Sequence, residues 1–184
     1  MSKRKRKPTE THTSLAAQVD SFDVRSSVGF NVFLLGRIRN DIEEDAEVFD
    51  STTQLIIRGV FSEPKDRSGE RVELTLYGER TGRTTMRVKD VHSRDKNGSR
   101  LYRTYRGESV PVLDLPTGVT TIQRRRDDHV WNACIFVEPR LVTDMLVILA
   151  AGRSTFLSLY EKMADRERWI TSVSLQTADP AVDD

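Results

Sequence analysis

The stretch RVELTLY, residues 71–77, places Val72, Leu74 and Leu76 on one side of an extended chain and Arg71, Glu73 and Thr75 on the other. A repeat of two residues is the mark of a strand with one buried and one solvated face, and it commits this part of the chain to a sheet. TQLIIRGVF, residues 53–61, precedes it, and the intervening SEPKDRSGE carries Pro64 and the pair Ser68-Gly69. Those breakers predict a β-hairpin with a polar, fairly long loop. Upstream, residues 28–39 are apolar on both faces around Val32 to Leu35, which suits a strand at the centre of a sheet, with Gly36 marking a bulge. Further strands are expected over residues 84–91, 101–106, 119–124, 129–137, 155–160 and 169–176.

One segment departs from this period. In EPRLVTDMLVILAAG, residues 138–152, Leu141, Val142, Met145, Leu146 and Leu149 form the stripe of an amphipathic helix. Pro139 suits its first turn, where a missing N–H leaves no bond unmade, and Gly152 suits the left-handed position that ends it. The expected fold is therefore mainly β with one substantial helix, an antiparallel β-sandwich or strongly curved sheet closed by the helix at about 139–151. The alternative is a partly open barrel of the oligonucleotide-binding type.

The 184 residues suit one domain with tails: a basic, disordered arm over 1–14, a β-rich domain over 15–177 and an acidic, frayed tail over 178–184. The start, MSKRKRKPTETHTS, has basic residues but no apolar run behind them, and the longest apolar run, Met145 to Ala151, is far too short to span a bilayer. A soluble, intracellular (cytoplasmic) protein without membrane contact is the expectation. Cys134 is the only cysteine, which excludes an intramolecular disulfide and a cysteine-based zinc cluster; its apolar neighbours predict a small buried core residue.

The net charge is only +1, so electrostatic function depends on where charge lies along the chain. Between Arg80 and Arg126 the cations are Arg80, Arg83, Arg87, Lys89, Arg94, Lys96, Arg100, Arg103, Arg106, Arg124, Arg125 and Arg126. The acids there are Asp90, Asp95, Glu108 and Asp114, together with the turn residues that follow. Acid is concentrated instead in DIEEDAEVFD, residues 41–50, and at the C-terminus. Arginine offers a planar fork that grips phosphate or carboxylate. Arg100, Arg103 and Arg106 alternate with Tyr102 and Tyr105, a composition suited to phosphate contacts and base stacking. Arg124 and Arg126 would lie on one face about 7 Å apart if their strand continued, with Arg125 between them. The competing reading of this run is the wet tip of a hairpin, with Arg125, Arg126, Asp127 and Asp128 in the turn. In the arm, Lys3, Arg4, Lys5, Arg6 and Lys7 form a cationic run that associates with any polyanion.

Catalytic and metal motifs are not found. Asp127, Asp128 and His129 are consecutive, so their side chains alternate faces and cannot converge on one ion. GERTGRTT, residues 78–85, lacks the spacing and the lysine of a phosphate loop, and AGRSTF around Ser154 is not a nucleophile elbow. Trp131 and Trp169 are expected to anchor the core, and His92 to lie at the surface. The chain reads as a non-enzymatic binding or assembly protein without a cofactor, presenting an arginine-rich surface and a basic arm to a polyanion, foremost nucleic acid. A protein–protein module, or a homo-oligomer in which the acidic segment 41–50 meets the basic surface, is the alternative. An enzyme of unrecognised type is the third reading.

Overall fold

The computed structural model describes residues 10–30, 48–78, 86–164 and 166–180. The cations Lys3, Arg4, Lys5, Arg6, Lys7, Arg80 and Arg83, the apolar run 32–35 with Gly36, and most of the acidic segment 41–50 lie outside those residues.

The strands are β1 (Thr11–Phe30), β2 (Phe49–Glu63), β3 (Arg71–Gly78), β4 (Tyr102–Tyr105), β5 (Glu108–Pro111), β6 (Thr120–Arg124), β7 (Trp131–Val137), β8 (Phe156–Ala164) and β9 (Glu167–Gln176). The helix α1 spans Pro139–Ala150 and sits between β7 and β8. Seven strands form a closed barrel in the order β1-β2-β3-β7-β6-β9-β8, which β1 closes by pairing with β8; β4 and β5 pair only with each other. The mainly β class holds, and so does the barrel of the alternative, closed where a partly open one was expected. The sandwich does not form, because the sheet curls until its first strand meets its eighth instead of splitting into two layers. Nor is the barrel wholly antiparallel: β3 and β7 run parallel from Val72↔Trp131 to Gly78↔Val137.

Closure makes the period-2 pattern an inside/outside code. Leu55 and Ile57 of β2, Leu74 and Leu76 of β3, Ala133 and Ile135 of β7, and Leu157 and Leu159 of β8 fill the interior. Burying an aliphatic side chain of this size stabilises by about 1.5–3 kcal/mol. Helix α1 covers the end of the barrel where β3 and β9 finish, through the buried Val142, Met145 and Leu149. It stops as expected: Gly152 takes φ +68° and the amides of Ala151 and Gly152 bond to Ile148 and Leu149 carbonyls.

Two bulges reset the code. In β1, Val19 pairs with Gly59 and Ser21 with Arg58, so Asp20 is an extra residue. Leu15, Ala17 and Val19 face inward before it, and Phe22 and Val24 take that face after it, opposite Ile57 and Leu55. Gly59 serves this crowding, since a Cβ there would collide with the Gln18 carbonyl. In β9, Ser172 pairs with Tyr160 but Ile170 with Glu161, leaving Thr171 extra. Val173 and Leu175 point inward above that bulge, Ile170 and Arg168 below it. Trp169 is thereby turned away from the core that simple alternation predicts for it.

Other differences have similarly local causes. Cys134 is exposed, because Trp131, Ala133, Ile135 and Val137 take the inner face of β7 and leave Asn132, Cys134 and Phe136 outside. Residues 88–91 form one turn of 3-10 helix instead of a strand, with the Asp90 carboxylate accepting the Arg87 amide at 2.7 Å. Residues 11–14, assigned to the arm, are strand: Thr11 to Ser14 pair with Met163 to Tyr160 of β8.

Candidate functional site

Residues 86–115, within the excursion between β3 and β6, contain five of the eight predicted anion-binding residues that lie among the described residues: Arg100, Tyr102, Arg103, Tyr105 and Arg106. The segment is folded on itself. His92 bridges Leu113, Arg94 bridges Arg100, and the amides of Ser93 and Val112 bond to the carbonyls of Val112 and Leu101. At its centre β4 and β5 form a hairpin in which Tyr105 faces Glu108 and only Arg106 and Gly107 make the turn, at φ +52° and +84°. Positive φ at both positions defines the two-residue turn whose twist matches that of the strands, and glycine at the second suits it.

All four residues of β4 are exposed, Tyr102 and Tyr105 each to 55%. Alternation puts Tyr102 and Thr104 on one face and Arg103 and Tyr105 on the other, so the two tyrosines do not form one stacking platform. The Arg106 guanidinium lies 5.3 Å from the Tyr105 ring centre, which groups Arg103, Tyr105 and Arg106 at the turn end.

The charges in this segment are used unequally. Arg87, Lys89, Arg94, Lys96, Arg100, Arg103 and Arg106 face only Asp90, Asp95, Glu108 and Asp114 in the sequence. Asp90 is bonded to a backbone amide, and Asp95 accepts from the amides of Asn97 and Ser99 at 2.8 and 2.9 Å. Among the described residues none of the seven cations forms an ion pair; Arg94 donates to the Gly98 carbonyl.

The run 124–126 behaves differently. β6 ends at Arg124, so Arg126 enters the turn and does not share a strand face with it. Arg124 is paired with Glu70 at 2.7 Å, and Arg125 with Asp128 at 2.8 Å and more distantly with Glu73 at 3.9 Å. Only Arg126 has no ion partner among the described residues. The hairpin-tip reading describes this segment: Asp128 accepts the Val130 amide at 3.2 Å and His129 adopts φ +58°.

A group not singled out in the sequence lies at the barrel end opposite α1. Glu161 projects inward from β8 and is 1% exposed; Arg67, on the β2–β3 loop and 6% exposed, donates two hydrogen bonds to it at 2.9 and 2.8 Å. Arg168 adds a third at 2.7 Å. The Arg67 guanidinium stacks over the Trp131 ring at 4.3 Å, Arg168 approaches that ring at 5.5 Å, and the Trp131 Nε1–H donates to Glu70. The ion pairs of Arg67 and Arg124 therefore meet at Trp131.

Beside this group β6 and β9 separate. Their ladder has two pairs, Thr120↔Ile170 and Thr121↔Trp169. Gly118 permits this contact, since a Cβ there would stand 2.7 Å from the Ile170 carbonyl oxygen. Beyond Thr121 the strands diverge around a cleft of about 440 Å³, lined by Gln123, Arg124, Trp131, Arg166, Arg168 and Trp169 among others. A shallower hollow of about 360 Å³ lies along β6 and β7, beside Asn132 and Cys134.

Among the described residues no group of His, Cys, Asp and Glu is placed to hold a metal ion, and no helix is long and apolar enough to cross a membrane. No protein-family model, curated protein or solved structure matches the chain.

Proposed function

We propose that the protein is a non-enzymatic binding or assembly factor that presents the 86–115 segment to nucleic acid. The observation that carries this reading is the division of labour in that segment: Asp90 and Asp95 are spent on backbone amides, while among the described residues the seven cations stay without ion partners. Arg100, Arg103 and Arg106, with the exposed rings of Tyr102 and Tyr105, supply phosphate contacts and stacking surface. Arg126 and the cations at residues 3–7 add affinity without sequence reading. Arg124 and Arg125 are committed to Glu70, Asp128 and Glu73, and their part is structural.

Fluorescence anisotropy with a labelled single-stranded oligonucleotide, titrated at about 50 and 200 mM salt, tests this. Binding weakens with salt along a log–log slope of roughly −2 or steeper when three or more phosphates are neutralised. Failure of micromolar protein to bind single- or double-stranded DNA or RNA at the lower salt ends the proposal.

A protein–protein role has its own support in the β1–β2 ribbon. β1 pairs with β8 only as far as Gln18, and residues 21–30 have β2 alone as their partner among the described residues. Val28, Phe30 and Phe49 are exposed there, with the two phenylalanine rings stacked at 4.8 Å. An open, apolar strand edge is a template for another chain. A discrete oligomer by light scattering, with no nucleic-acid binding, favours this second reading.

A further inference from the structure

The cleft between β6 and β9 offers a set of groups that the 86–115 segment lacks. After Thr121↔Trp169 the two strands stay in the sheet through their other neighbours, Gln123 and Arg124 through β7 and Glu167 and Arg168 through β8. The barrel wall is thus open at one rim while both sides of the opening remain fixed. Its volume of about 440 Å³ lies in the range of small-ligand pockets, about 300–1,000 Å³.

Some of its lining is already engaged. Trp131 is occupied by Arg67, Arg168 and Glu70, and Arg124 and Arg168 are held by Glu70 and Glu161. Three groups are not. Trp169, half-buried on the rim, has no ring or cation contact among the described residues. Arg166, exposed at φ +73°, has no ion partner among them. Gln123 is exposed with its amide uncommitted. A flat π-face, a free guanidinium and a donor–acceptor amide in one cleft match the three parts of a nucleotide: its base plane, its phosphate and its hydrogen-bonding edge.

We propose that this cleft binds one nucleotide of a single strand, the base stacked on Trp169, the phosphate paired with Arg166 and the base edge facing Gln123. This rests on the nucleic-acid reading above and narrows it. A base must leave its duplex to reach the cleft, so single strands are the ligand and duplexes are not.

The test uses the full chain and its intrinsic tryptophan emission, titrated with oligothymidylate, a duplex of equal length and thymidine 5′-monophosphate. Oligothymidylate quenches the emission, the monophosphate does so at higher concentration, and the duplex does not. Trp169→Leu abolishes the quench and weakens oligothymidylate binding about tenfold, in the range produced by losing one base–aromatic stack; Trp169→Phe restores most of the affinity. If Trp169→Leu unfolds, as judged by circular dichroism, the wild-type quench decides. Unchanged emission while Arg103→Ala with Arg106→Ala still weakens binding overturns the cleft site and leaves the broader reading standing. Absence of any oligonucleotide binding by the wild-type chain overturns both.

Discussion

Arg67 grips Glu161 with two parallel hydrogen bonds, joining the β2–β3 loop to the inner face of β8 across 94 residues of sequence. Both side chains are buried, and the pair closes the mouth of the barrel that the helix leaves uncovered.

Removing one member strands the other. Glu161→Leu leaves Arg67 buried without its carboxylate and is expected to lower unfolding free energy by about 3–5 kcal/mol, read as an earlier midpoint in urea denaturation. Arg67→Met combined with Glu161→Leu recovers part of that loss, because the buried guanidinium is then gone and only the more exposed Arg168 has lost its carboxylate.

Binding is expected to respond to Arg103 and Arg106 but not to Arg125. Arg103→Ala with Arg106→Ala reduces the salt slope of oligonucleotide binding by roughly 1–2, while Arg125→Ala, whose charge is already opposed by Asp128, leaves it unchanged. Anisotropy titrations across a salt series separate the two.

Gly107 holds the β4–β5 turn at φ +84°. Gly107→Val strains that turn by about 1–3 kcal/mol, so hydrogen exchange of amides in residues 102–111 quickens while that of the barrel strands is unaffected.

The Glu10 carboxyl is held below its ordinary value by its hydrogen bond from Lys162 and, secondly, by His12. A depressed folded value means that the stabilisation is present above the unfolded value and lost as pH falls through the folded one. NMR titration should place Glu10 below a free glutamate, and Lys162→Met should move it back up.

Cys134 is expected to react with a thiol reagent in the native protein at close to one equivalent, without denaturant. A thiol that reacts only after unfolding contradicts the outward face of β7.

Six of the strands and the helix were legible because their inner residues repeat every two or follow one helical stripe. β2, β3 and β7 show this best, as do Pro139 and Gly152 around α1. β1 was not: its core contribution is Leu15 and two alanines, its outer part is rich in Ser and Asp, and the bulge at Asp20 breaks the alternation. The same failure hid Arg168 and Trp169, whose faces are exchanged by Thr171. Charge segregation was readable, but pairing was not. Arg124 looks like a free cation in sequence because Glu70 lies some 50 residues away and is brought opposite it only by the β6–β7 and β3–β7 pairings, whereas the main partner of Arg125, Asp128, is three residues away and was visible as part of the hairpin tip.

That parallel pairing has one more result. Two antiparallel neighbours can be joined by a tight turn, but β3 and β7 enter the wall from the same end, so the chain must come back along the barrel before β7 can begin, and β6, antiparallel to β7, makes that return within the wall. The exposed hairpin and its arginines are carried on the detour between β3 and β6, ahead of that return. Lengthening or rewriting that detour alters what the molecule touches while leaving the order of staves in the wall intact.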